Sequence, residues 1–310
     1  MKVIEDLSAL ERPLNAVVTS GTFDGVHLGH QKILKKLLNT AKEINGESIV
    51  LTFWPHPRFV LGNGWGDLRL LTTFEEKAKL LAETGLDYLV KVPFTRAFSE
   101  LSSNDFVQNI IVDKLGTQKL IIGYDHKFGK NREGGFDYLK EHQDTFGFEV
   151  EEIPRHDIDS VGVSSTEIRQ ALFSGNVQEA QKLLGRSYTL SGIVIKGDQF
   201  GRQLGYPTAN IYIAEEFKLI PGDGVYAMLV HLKGGIYQGM MNIGVRPTIS
   251  GKRRQIEVNI FDFEEDIYGQ SIKLEFVAKL REEQKFESKD HLKQQLGRDK
   301  LAALSIFRSL

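Results

Sequence analysis

Two histidines and three glycines share one ten-residue stretch, Gly21 to His30, which reads GTFDGVHLGH. Glycines let the backbone approach a ligand closely or take a positive φ. A helix that begins near Gly29 would direct its free N–H groups and the positive end of its dipole at this turn, which suits phosphate. His27 and His30 add imidazole donors, which can stabilise the charge that develops on phosphoryl oxygens during group transfer.

An ordinary strand-to-helix turn is the alternative for this stretch, with Asp24 as the helix cap and the histidines on the surface. The stretch does not fit the GxxxxGK[ST] pattern of a Walker A loop, and it does not fit the GxGxxG pattern of a dinucleotide fold. Any phosphate site here must therefore be of another kind.

A second group of anion-binding residue types lies in VGVSSTEIRQAL, residues 161–172. Ser164 or Ser165 can cap a helix that begins near Thr166, and Arg169 follows one turn later. Hydroxyls, free N–H groups and a guanidinium together favour an anion site. A plain capping sequence is the alternative.

Two further stretches combine aromatic, proline, glycine and polar residues. TFWPHP (52–57) places Phe53 and Trp54 before a loop stiffened by prolines, so the rings could stack on a planar ligand or form a cluster at the core edge. GYDHKFGKNREGG (123–135) is glycine-rich and basic, and Asp125 could accept hydrogen bonds from a ribose or an amide. A generic polar loop is the alternative for the second stretch.

GRQLGYPTANI (201–211) combines flexible glycines with hard oxygen ligands. Gly201 and Gly205 permit close backbone approach. Thr208 and Asn210 lie two apart, so in a strand both side chains face the same side. Two neutral oxygens of this kind suit Mg²⁺ when ATP phosphates supply the remaining ligands. A glycine-rich β-turn is the alternative.

Strand-like and helix-like patterns alternate in the first half of the chain, which predicts βαβ units and a parallel sheet. Ligands bind such a sheet at the carboxyl ends of its strands, and the stretches at 21–30, 52–57 and 123–129 all follow predicted strands. The predicted strands are 16–20, 48–53, 88–92, 119–123 and 148–153. The predicted helices are 29–44, 73–84, 103–115, 135–146 and 175–186, with Ser102 and Asp105 forming a capping box at the third.

The pattern changes near residue 187, after which strand-like runs follow one another and favour a compact antiparallel barrel. The predicted strands are 188–195, 225–232, 236–243, 255–263 and 271–280. Lys233 to Gly235 suits a tight hairpin, and a closing helix is predicted at 288–307. We therefore predict two domains, residues 1–186 and 187–310.

Composition limits the remaining possibilities. A length of 310 residues suits two domains, and a net charge of −2 gives no sign of a nucleic-acid or membrane partner. There are no cysteines, which excludes disulfides and thiolate chemistry. We see neither an apolar run of about 18 residues nor a signal peptide, so we expect a cytoplasmic protein. Small-molecule substrates are the expected partners, and a weak homo-oligomer is left open.

GTFDGVHLGH resembles the signature of the HxGH nucleotidyltransferase superfamily, and its flanking residues resemble the bacterial bifunctional riboflavin kinase/FMN adenylyltransferase family. The resemblance covers nearly the whole chain. It implies an α/β Rossmann-like nucleotidyltransferase domain with a parallel sheet, followed by a small antiparallel riboflavin kinase-like β-barrel with a C-terminal helix. It also implies ATP, riboflavin, FMN and FAD as substrates and products, and Mg²⁺ at both sites.

For the first domain, the resemblance implies catalytic roles for His27 and His30. SSTEIR matches the superfamily's ISSTxIR motif for triphosphate, and TFWPHP matches a TFxPHP segment on the flavin side. The implied nucleotide-binding residues are Gly21, Phe23, Asp24, Gly25, His27, His30, Asp125, Ser164, Ser165, Thr166 and Arg169. The implied flavin-binding residues are Phe53, Pro55, His56, Pro57 and Phe128. His126 stands where the family usually has Phe.

For the second domain, the resemblance implies that Glu257 is the base of a riboflavin kinase and that Arg281 lies near the flavin. GRQLGYPTAN matches the kinase GxxxGxPTAN motif, with Gly201, Gly205 and Pro207 at the nucleotide and Thr208 and Asn210 as the magnesium pair. Asn259 stands where the family commonly has His.

Three other functions are alternatives to a bifunctional enzyme. A riboflavin kinase with an inactive first domain would not need intact HxGH and SSTxIR residues. Another HxGH transferase, such as a pantetheine-phosphate adenylyltransferase, would not explain the PTAN barrel. A flavin-binding sensor without turnover predicts the loss of Glu257 or of the histidines, yet all three are present.

Overall fold

The structure is a computed structural model that describes residues 1–62, 68–124, 126–154, 163–197, 200–248 and 251–309. Asp125, one of the predicted nucleotide-binding residues, lies outside the described residues. The chain forms two compact units, Met1–Ser165 and Thr166–Leu310.

The first unit is built on a parallel sheet of six strands in the described part of the chain, in the order β1-β4-β3-β2-β5-β6. The strands are β1 Lys2–Ile4, β2 Ala16–Ser20, β3 Ser48–Trp54, β4 Tyr88–Pro93, β5 Thr117–Gly123 and β6 Glu149–Ile153. All neighbours pair in parallel, which confirms the predicted α/β class. The short edge strand β1 was not predicted.

Helices lie between these strands, as the alternating pattern predicts. They are α1 Leu28–Glu43, α2 Pro57–Leu61, α3 Phe74–Ala82, α4 Arg96–Ser99, α5 Ser103–Phe106 and α6 Phe136–Phe146. The helix predicted at 103–115 begins as α5 and continues as a π-helix over Val107–Val112. Its cap is the predicted one, because the Ser102 hydroxyl accepts the Asp105 N–H at 3.1 Å and donates to the Asp105 carboxylate at 2.7 Å.

Both faces of the sheet are buried, and the central strands show this directly. Val18, Leu51 and Ile122 belong to one apolar cluster, whereas the preceding residues Val17, Val50 and Ile121 belong to the other. Strands buried on two faces read as continuous apolar runs instead of alternating ones. The carboxyl ends of β2 and β3, where the predicted site residues follow, are therefore anchored in the core.

The second unit is a closed antiparallel barrel in the order β10-β11-β8-β7-β12-β9. Its strands are β7 Thr189–Ile195, β8 Ala209–Tyr212, β9 Gly224–Leu232, β10 Gly235–Thr248, β11 Gly251–Ile260 and β12 Ser271–Arg281. The other helices are α7 Ser165–Phe173, which begins at the last residue of the first unit, α8 Val177–Leu184, α9 Phe200–Gln203 and α10 Lys289–Phe307. The predicted barrel and closing helix are confirmed.

The turn between β9 and β10 has the predicted hairpin form. Lys233 has φ 51° and Gly234 has φ 77°, the two positive values that a type I′ turn requires. However, Asn259 of β11 and Phe261, which directly follows this strand, are buried, although alternation along the predicted strand placed them on the face away from the apolar side. Helix α10 covers this face, with the Phe307 ring 6.5 Å from the Phe261 ring.

Helices α7 and α8 pack on the barrel, which predicts how fragments of this unit behave. The Gly222 N–H donates to Leu172 O at 2.8 Å, and Leu172 and Leu184 are fully buried. We expect residues 166–310 to fold alone and to phosphorylate riboflavin. A fragment of residues 187–310 should lose at least about 3 kcal/mol of unfolding free energy in urea, from the loss of two buried leucines. Equal stability of the two fragments would contradict this expectation and favour the predicted boundary at 186/187.

Candidate active sites

His27 is the N-cap of α1, so the helix itself fixes this imidazole. Its Nδ1 accepts the backbone N–H of His30 at 3.3 Å. When Nδ1 of a neutral imidazole accepts, the proton is on Nε2. In a neutral His27, Nε2 is therefore the donor nitrogen of the ring. Asp24, the alternative cap, does not occupy this position.

The two imidazoles of the turn form one ordered unit. The His27 and His30 rings stack, with centroids 3.7 Å apart and planes 17° from parallel. The Phe23 ring lies 4.9 Å from His30 on a tilted plane. His27 is 6% exposed and His30 is half-buried, so both rings have restricted orientations. The structure thus brings the two predicted catalytic histidines together with Phe23.

The turn before these histidines has an unusual backbone. Phe23 has φ 47°, Gly25 has φ 81° and Val26 has φ 39°. A positive φ is rare for a bulky residue and rarer for a β-branched one, and each such residue costs about 1–3 kcal/mol. Hydrogen bonds hold the conformation: Val26 N–H donates to Phe23 O at 3.2 Å, and the Gln31 side chain donates to Val26 O at 3.0 Å. Strain that is held in this way is typical of functional sites.

Asp24 anchors the turn to the segment before α3. Its carboxylate is buried and accepts the backbone N–H groups of Leu71 at 3.0 Å and Thr72 at 3.1 Å. The Gly25 N–H in turn donates to the Thr72 hydroxyl at 3.1 Å. These contacts with protein groups give Asp24 a supporting role in the turn, and its predicted contact with nucleotide stays a prediction.

The serine motif meets the histidine turn inside the first unit. The Ser165 hydroxyl donates to Asp24 O at 3.1 Å. Ser165 is the first residue of α7, one position before the predicted start, and Ser164 directly precedes the helix. Arg169 lies one turn further along the same helix. Two motifs that are 141 residues apart in the chain therefore meet at a backbone carbonyl.

Phe53 and Phe128, two of the predicted flavin-binding residues, belong to one aromatic cluster. The Phe53 ring lies 5.7 Å from Phe98 and 6.4 Å from Phe106, and Phe106 lies 5.5 Å from Phe128. Phe128 is buried, whereas Phe53 at the end of β3 is only partly buried. These contacts fit the alternative interpretation of TFWPHP, an aromatic cluster at the edge of the core. Phe53 is nevertheless only partly buried.

The remaining residues of TFWPHP form a short, rigid connection. The Trp54–Pro55 peptide bond is cis. His56 is the N-cap of α2, and its Nδ1 accepts the Arg58 N–H at 3.2 Å. Pro57 is the first residue of that helix, a position that proline favours. The histidine is thus held by its own loop, and its predicted role in flavin binding stays a prediction.

His126, where the family usually has Phe, joins two loops of the site. Its Nε2 lies 3.0 Å from the hydroxyl of Ser20, the last residue of β2. Burial, with a smaller contribution from the Arg132 charge, lowers the pKa of His126 to about 4. The imidazole is therefore neutral at neutral pH and ties the loop after β5 to the start of the histidine turn.

Sequence reasoning missed Lys77, a buried lysine of α3 at this site. Its Nζ donates to Thr22 O at 3.0 Å and to the Thr52 hydroxyl at 2.9 Å. Burial lowers the pKa of Lys77 from 10.5 to about 8, a shift that corresponds to roughly 3 kcal/mol. Because the unfolded chain binds this proton more tightly, the lysine costs stability below pH 8, and the cost decreases as the pH rises toward 10.5.

In the barrel, the structure brings Glu257 and Asn210 together. They are direct partners on the antiparallel strands β11 and β8, and Val258 pairs with Ala209 beside them. Residues that face each other across antiparallel strands point their side chains to the same side. The predicted base and one predicted metal ligand therefore share one face of the barrel wall.

The loop before β8 is fixed by close contacts. The buried Asn259 donates from Nδ2 to Pro207 O at 2.7 Å. At Gly201, a Cβ would overlap Tyr206 O and lie 3.2 Å from the Thr208 hydroxyl. Gly205 has φ 84°, which favours glycine. Asn259 lies on β11, the strand that carries Glu257, and its hydrogen bond to Pro207 O fixes the PTAN segment beside that strand.

A cavity of about 150 Å³ opens beside the PTAN segment. Its lining includes Arg202, Pro207 and Thr208, together with Asp266 and Tyr268. The cavity thus offers a cation, carboxylates and an aromatic ring next to the predicted magnesium pair.

Arg281, predicted to lie near the flavin, forms a buried ion pair with α10. Its Nε and terminal nitrogen donate to the Asp299 carboxylate at distances of 2.8–3.1 Å, and Gln295 donates to the same carboxylate at 2.8 Å. Asp299 is 3% exposed. Bidentate pairs of this kind fix geometry. Arg281 therefore fastens the C-terminal helix to the end of β12.

The donor set of the barrel fits Mg²⁺ only in company with a nucleotide. Thr208 and Asn210 offer neutral oxygens, and the described residues contain no cluster of three or more His, Asp or Glu side chains that could hold a metal alone. Mg²⁺ usually takes few protein ligands and completes its octahedron with phosphates and water. The pair therefore fits a metal that arrives with ATP.

Gly197 gives a specific test of the position of Asn210. A Cβ at Gly197 would overlap the Asn210 amide. We expect Gly197→Ala to reduce riboflavin phosphorylation by roughly 10-fold or more, because displaced ligands lose productive geometry. FAD formation from supplied FMN should be unchanged.

Gly234→Ala is the matched control for Gly197→Ala, since a Cβ there meets no atom within 4 Å. Its φ of 77° costs a non-glycine residue roughly 1–2 kcal/mol without touching the site. If both variants phosphorylate riboflavin at the same rate, the reaction does not depend on the observed position of the Asn210 amide.

Two family profiles together match most of the chain. The profile described as FAD synthetase matches residues 10–167, and the profile described as riboflavin kinase matches residues 184–307.

In the described part of the chain, no helix has both the length and the apolar character that crossing a bilayer requires.

Relatives match over the full length. The chain is 40% identical over 311 residues to the bifunctional riboflavin kinase/FMN adenylyltransferase of Haemophilus influenzae, covering 100% of both chains. It is 37% identical over 305 residues to the Bacillus subtilis protein of that name, covering 97% of this chain and 95% of the other. A crystal structure described as a macrolide-efflux protein from Streptococcus pneumoniae has a TM-score of 0.88 and 31% identity, covering 97% of this chain and 98% of that one. With both site geometries and these full-length matches, the chain belongs to the family of bacterial bifunctional riboflavin kinase/FMN adenylyltransferases.

Proposed function

We propose that this chain makes FAD from riboflavin in two steps, one in each unit. The barrel phosphorylates riboflavin with ATP to give FMN and ADP. The α/β unit transfers AMP from a second ATP to FMN, which gives FAD and pyrophosphate. One feature common to both units supports this proposal: each brings residues of separate motifs together, Ser165 with the histidine turn and Glu257 with Asn210.

In the kinase step, Glu257 accepts the proton of the ribityl 5′-hydroxyl as that oxygen attacks the γ-phosphorus. The new O–P bond forms as the bond to the ADP oxygen breaks. Thr208 and Asn210 would hold Mg²⁺, which would supply neutralisation of charge on the phosphates. Gly201, Gly205 and Pro207 shape the nucleotide loop, and the Arg281–Asp299 pair fixes the barrel end at which we place the flavin.

In the adenylyl step, an oxygen of the FMN phosphate attacks the α-phosphorus, and pyrophosphate leaves. The nucleophile is already anionic, so the site needs to position the reactants and neutralise charge. His27 and His30, whose rings stack, donate hydrogen bonds to the phosphoryl oxygens on which charge develops. Mg²⁺ that enters with ATP would supply further charge neutralisation at this site. The other proposed nucleotide contacts are Gly21, Phe23, Asp24, Gly25, Asp125, Ser164, Ser165, Thr166 and Arg169.

On the flavin side of the adenylyl site, we place the isoalloxazine near the carboxyl end of β3. Phe53 is partly buried there and has aromatic neighbours, which suits contact with a planar ring. Pro55, His56, Pro57 and Phe128 shape the same region. The reactions require ATP, and we propose that the chain works in the cytoplasm as an adenylyltransferase domain and a kinase domain, with the kinase barrel near 187–310 stabilised by α7 and α8.

Incubation with riboflavin and Mg-ATP, followed by separation of the flavins, tests this proposal. We expect FMN to appear first and FAD to follow. Accumulation of FMN alone would identify a kinase with an inactive first domain. Bound but unconverted riboflavin would identify a sensor without turnover.

A further inference from the structure

Lys77 lies beneath the histidine turn, at the carboxyl ends of β2 and β3. Its side chain is 4% exposed, and Nζ is 5.7 Å from the ring centroids of both Trp54 and Phe74. Nζ nevertheless makes two polar contacts, with Thr22 O at 3.0 Å and the Thr52 hydroxyl at 2.9 Å. The amine therefore joins the second residue of the turn to the neighbouring strand.

The charged groups around Lys77 come from the turn and from β4. The buried Asp24 carboxylate of the turn favours the ammonium form, whereas Lys91 of β4 opposes it. Lys91 itself is paired with Glu5 at 3.0 Å. Because burial outweighs these charges, the pKa of Lys77 is lowered to about 8. A buried cation is costly, which makes Lys77 a candidate functional residue of the histidine turn.

We propose that Lys77, as an ammonium ion, is a positioning residue of the adenylyl site. By holding the Thr22 carbonyl, it keeps Phe23, Gly25 and Val26 in their positive-φ conformations and so sets the place of His27 and His30. Its positive charge also favours the phosphates that the turn receives. The inference rests on the proposed adenylyl function of this unit, and no motif of the sequence indicates it.

Lys77→Met tests the role, because it keeps an unbranched apolar chain and removes the ammonium. Lys79→Met is the matched control: it makes the same charge change two residues away on the exposed side of α3. We expect Lys77→Met to lose on the order of 10- to 100-fold in kcat/KM for FAD formation from FMN, the cost typical of misplaced reacting groups. Lys79→Met should match the parent. Riboflavin phosphorylation on the same samples reports that the chain is folded and should be unchanged.

The pH profile separates this role from packing alone. Above about pH 8 the amine loses its proton, so kcat/KM of the parent for FAD formation should fall on the alkaline side. Lys77→Met should lack this fall. A lysine that only fills space would leave the two profiles parallel, and that result would overturn the proposal.

Chemical rescue keeps the proposal testable even if Lys77→Met folds poorly. The chain has no cysteine, so Lys77→Cys introduces a single thiol. Alkylation of the unfolded variant with 2-bromoethylamine, in which the thiolate displaces bromide, restores an ammonium at nearly the length of lysine. After refolding, we expect FAD formation to recover. Restored riboflavin phosphorylation without recovery of FAD formation would overturn the proposal. Absence of FAD formation by the parent would instead refute the proposed function.

Discussion

Glu257→Gln should reduce riboflavin phosphorylation by on the order of 10²–10⁴-fold, the contribution typical of a general base. The amide keeps the size and a hydrogen-bonding end of the side chain but cannot accept the hydroxyl proton. Because Glu257 pairs with Asn210 across the barrel wall, loss of the proton acceptor leaves the metal ligand in place. Riboflavin binding should therefore be largely kept, and supplied FMN should still be converted to FAD. Flavin separation after incubation with Mg-ATP measures both reactions.

Glu216→Gln provides the control for this change, since Glu216 is an exposed carboxylate of the same unit. It should phosphorylate riboflavin at the parent rate. If the rate of riboflavin phosphorylation by Glu257→Gln also remains within a few-fold of the parent rate, Glu257 is not the base. Its pairing with Asn210 would then only contribute to the barrel structure.

His30→Ala should reduce FAD formation from FMN by roughly 10²-fold or more, as removal of a charge-stabilising donor does. The change removes one of two stacked imidazoles while the His30 N–H remains available to the His27 cap. FMN formation from riboflavin, a reaction of the other unit, should persist. The same flavin separation, started from either riboflavin or FMN, reports the two rates.

Two comparisons sharpen the test of the histidines. His142→Ala removes an imidazole of α6 that stacks on Tyr138, and it should leave both activities intact.

His27→Asn keeps a good N-cap, whereas His27→Ala loses it at a cost of about 0.5–2 kcal/mol. Both His27 variants should lose FAD formation, but only the alanine should also lower stability. Equal loss of both reactions in folded His30→Ala would refute the assignment of this residue to one unit.

Much of the fold was predictable because local patterns and tertiary burial agree. Ala16–Ser20 forms the predicted strand, since an apolar run of this length fits a strand buried on both faces. Lys233 and Gly234 form the predicted hairpin, because a two-residue loop needs positive φ at both positions. The proximity of the histidine turn to Ser165 follows from no local pattern; only the resemblance of both motifs to parts of one nucleotide site implied it.

Other features depend on contacts that local patterns do not contain. Asp24 is a common cap type, yet it binds N–H groups near residue 71 and leaves the cap to His27. Lys77 stands among Glu, Ala and Lys in FEEKAKLLA, a pattern typical of a solvated position, and only the packing of α3 on the sheet buries it. Phe261 alternates onto the outer face of the predicted strand 255–263, and the Phe307 ring of α10 lies 6.5 Å from it.

A mixture of the two inactive variants tests the central claim, two separate active sites on one chain, most directly. Glu257→Gln alone, given riboflavin and Mg-ATP, should form neither FMN nor FAD at an appreciable rate. His30→Ala alone should stop at FMN. Mixed together, they should restore FAD formation from riboflavin, since FMN released by one variant is adenylylated by the other. If folded Glu257→Gln also fails to adenylylate supplied FMN, or folded His30→Ala also fails to form FMN, and the mixture forms no more FAD than either alone, the two reactions do not belong to two independent sites.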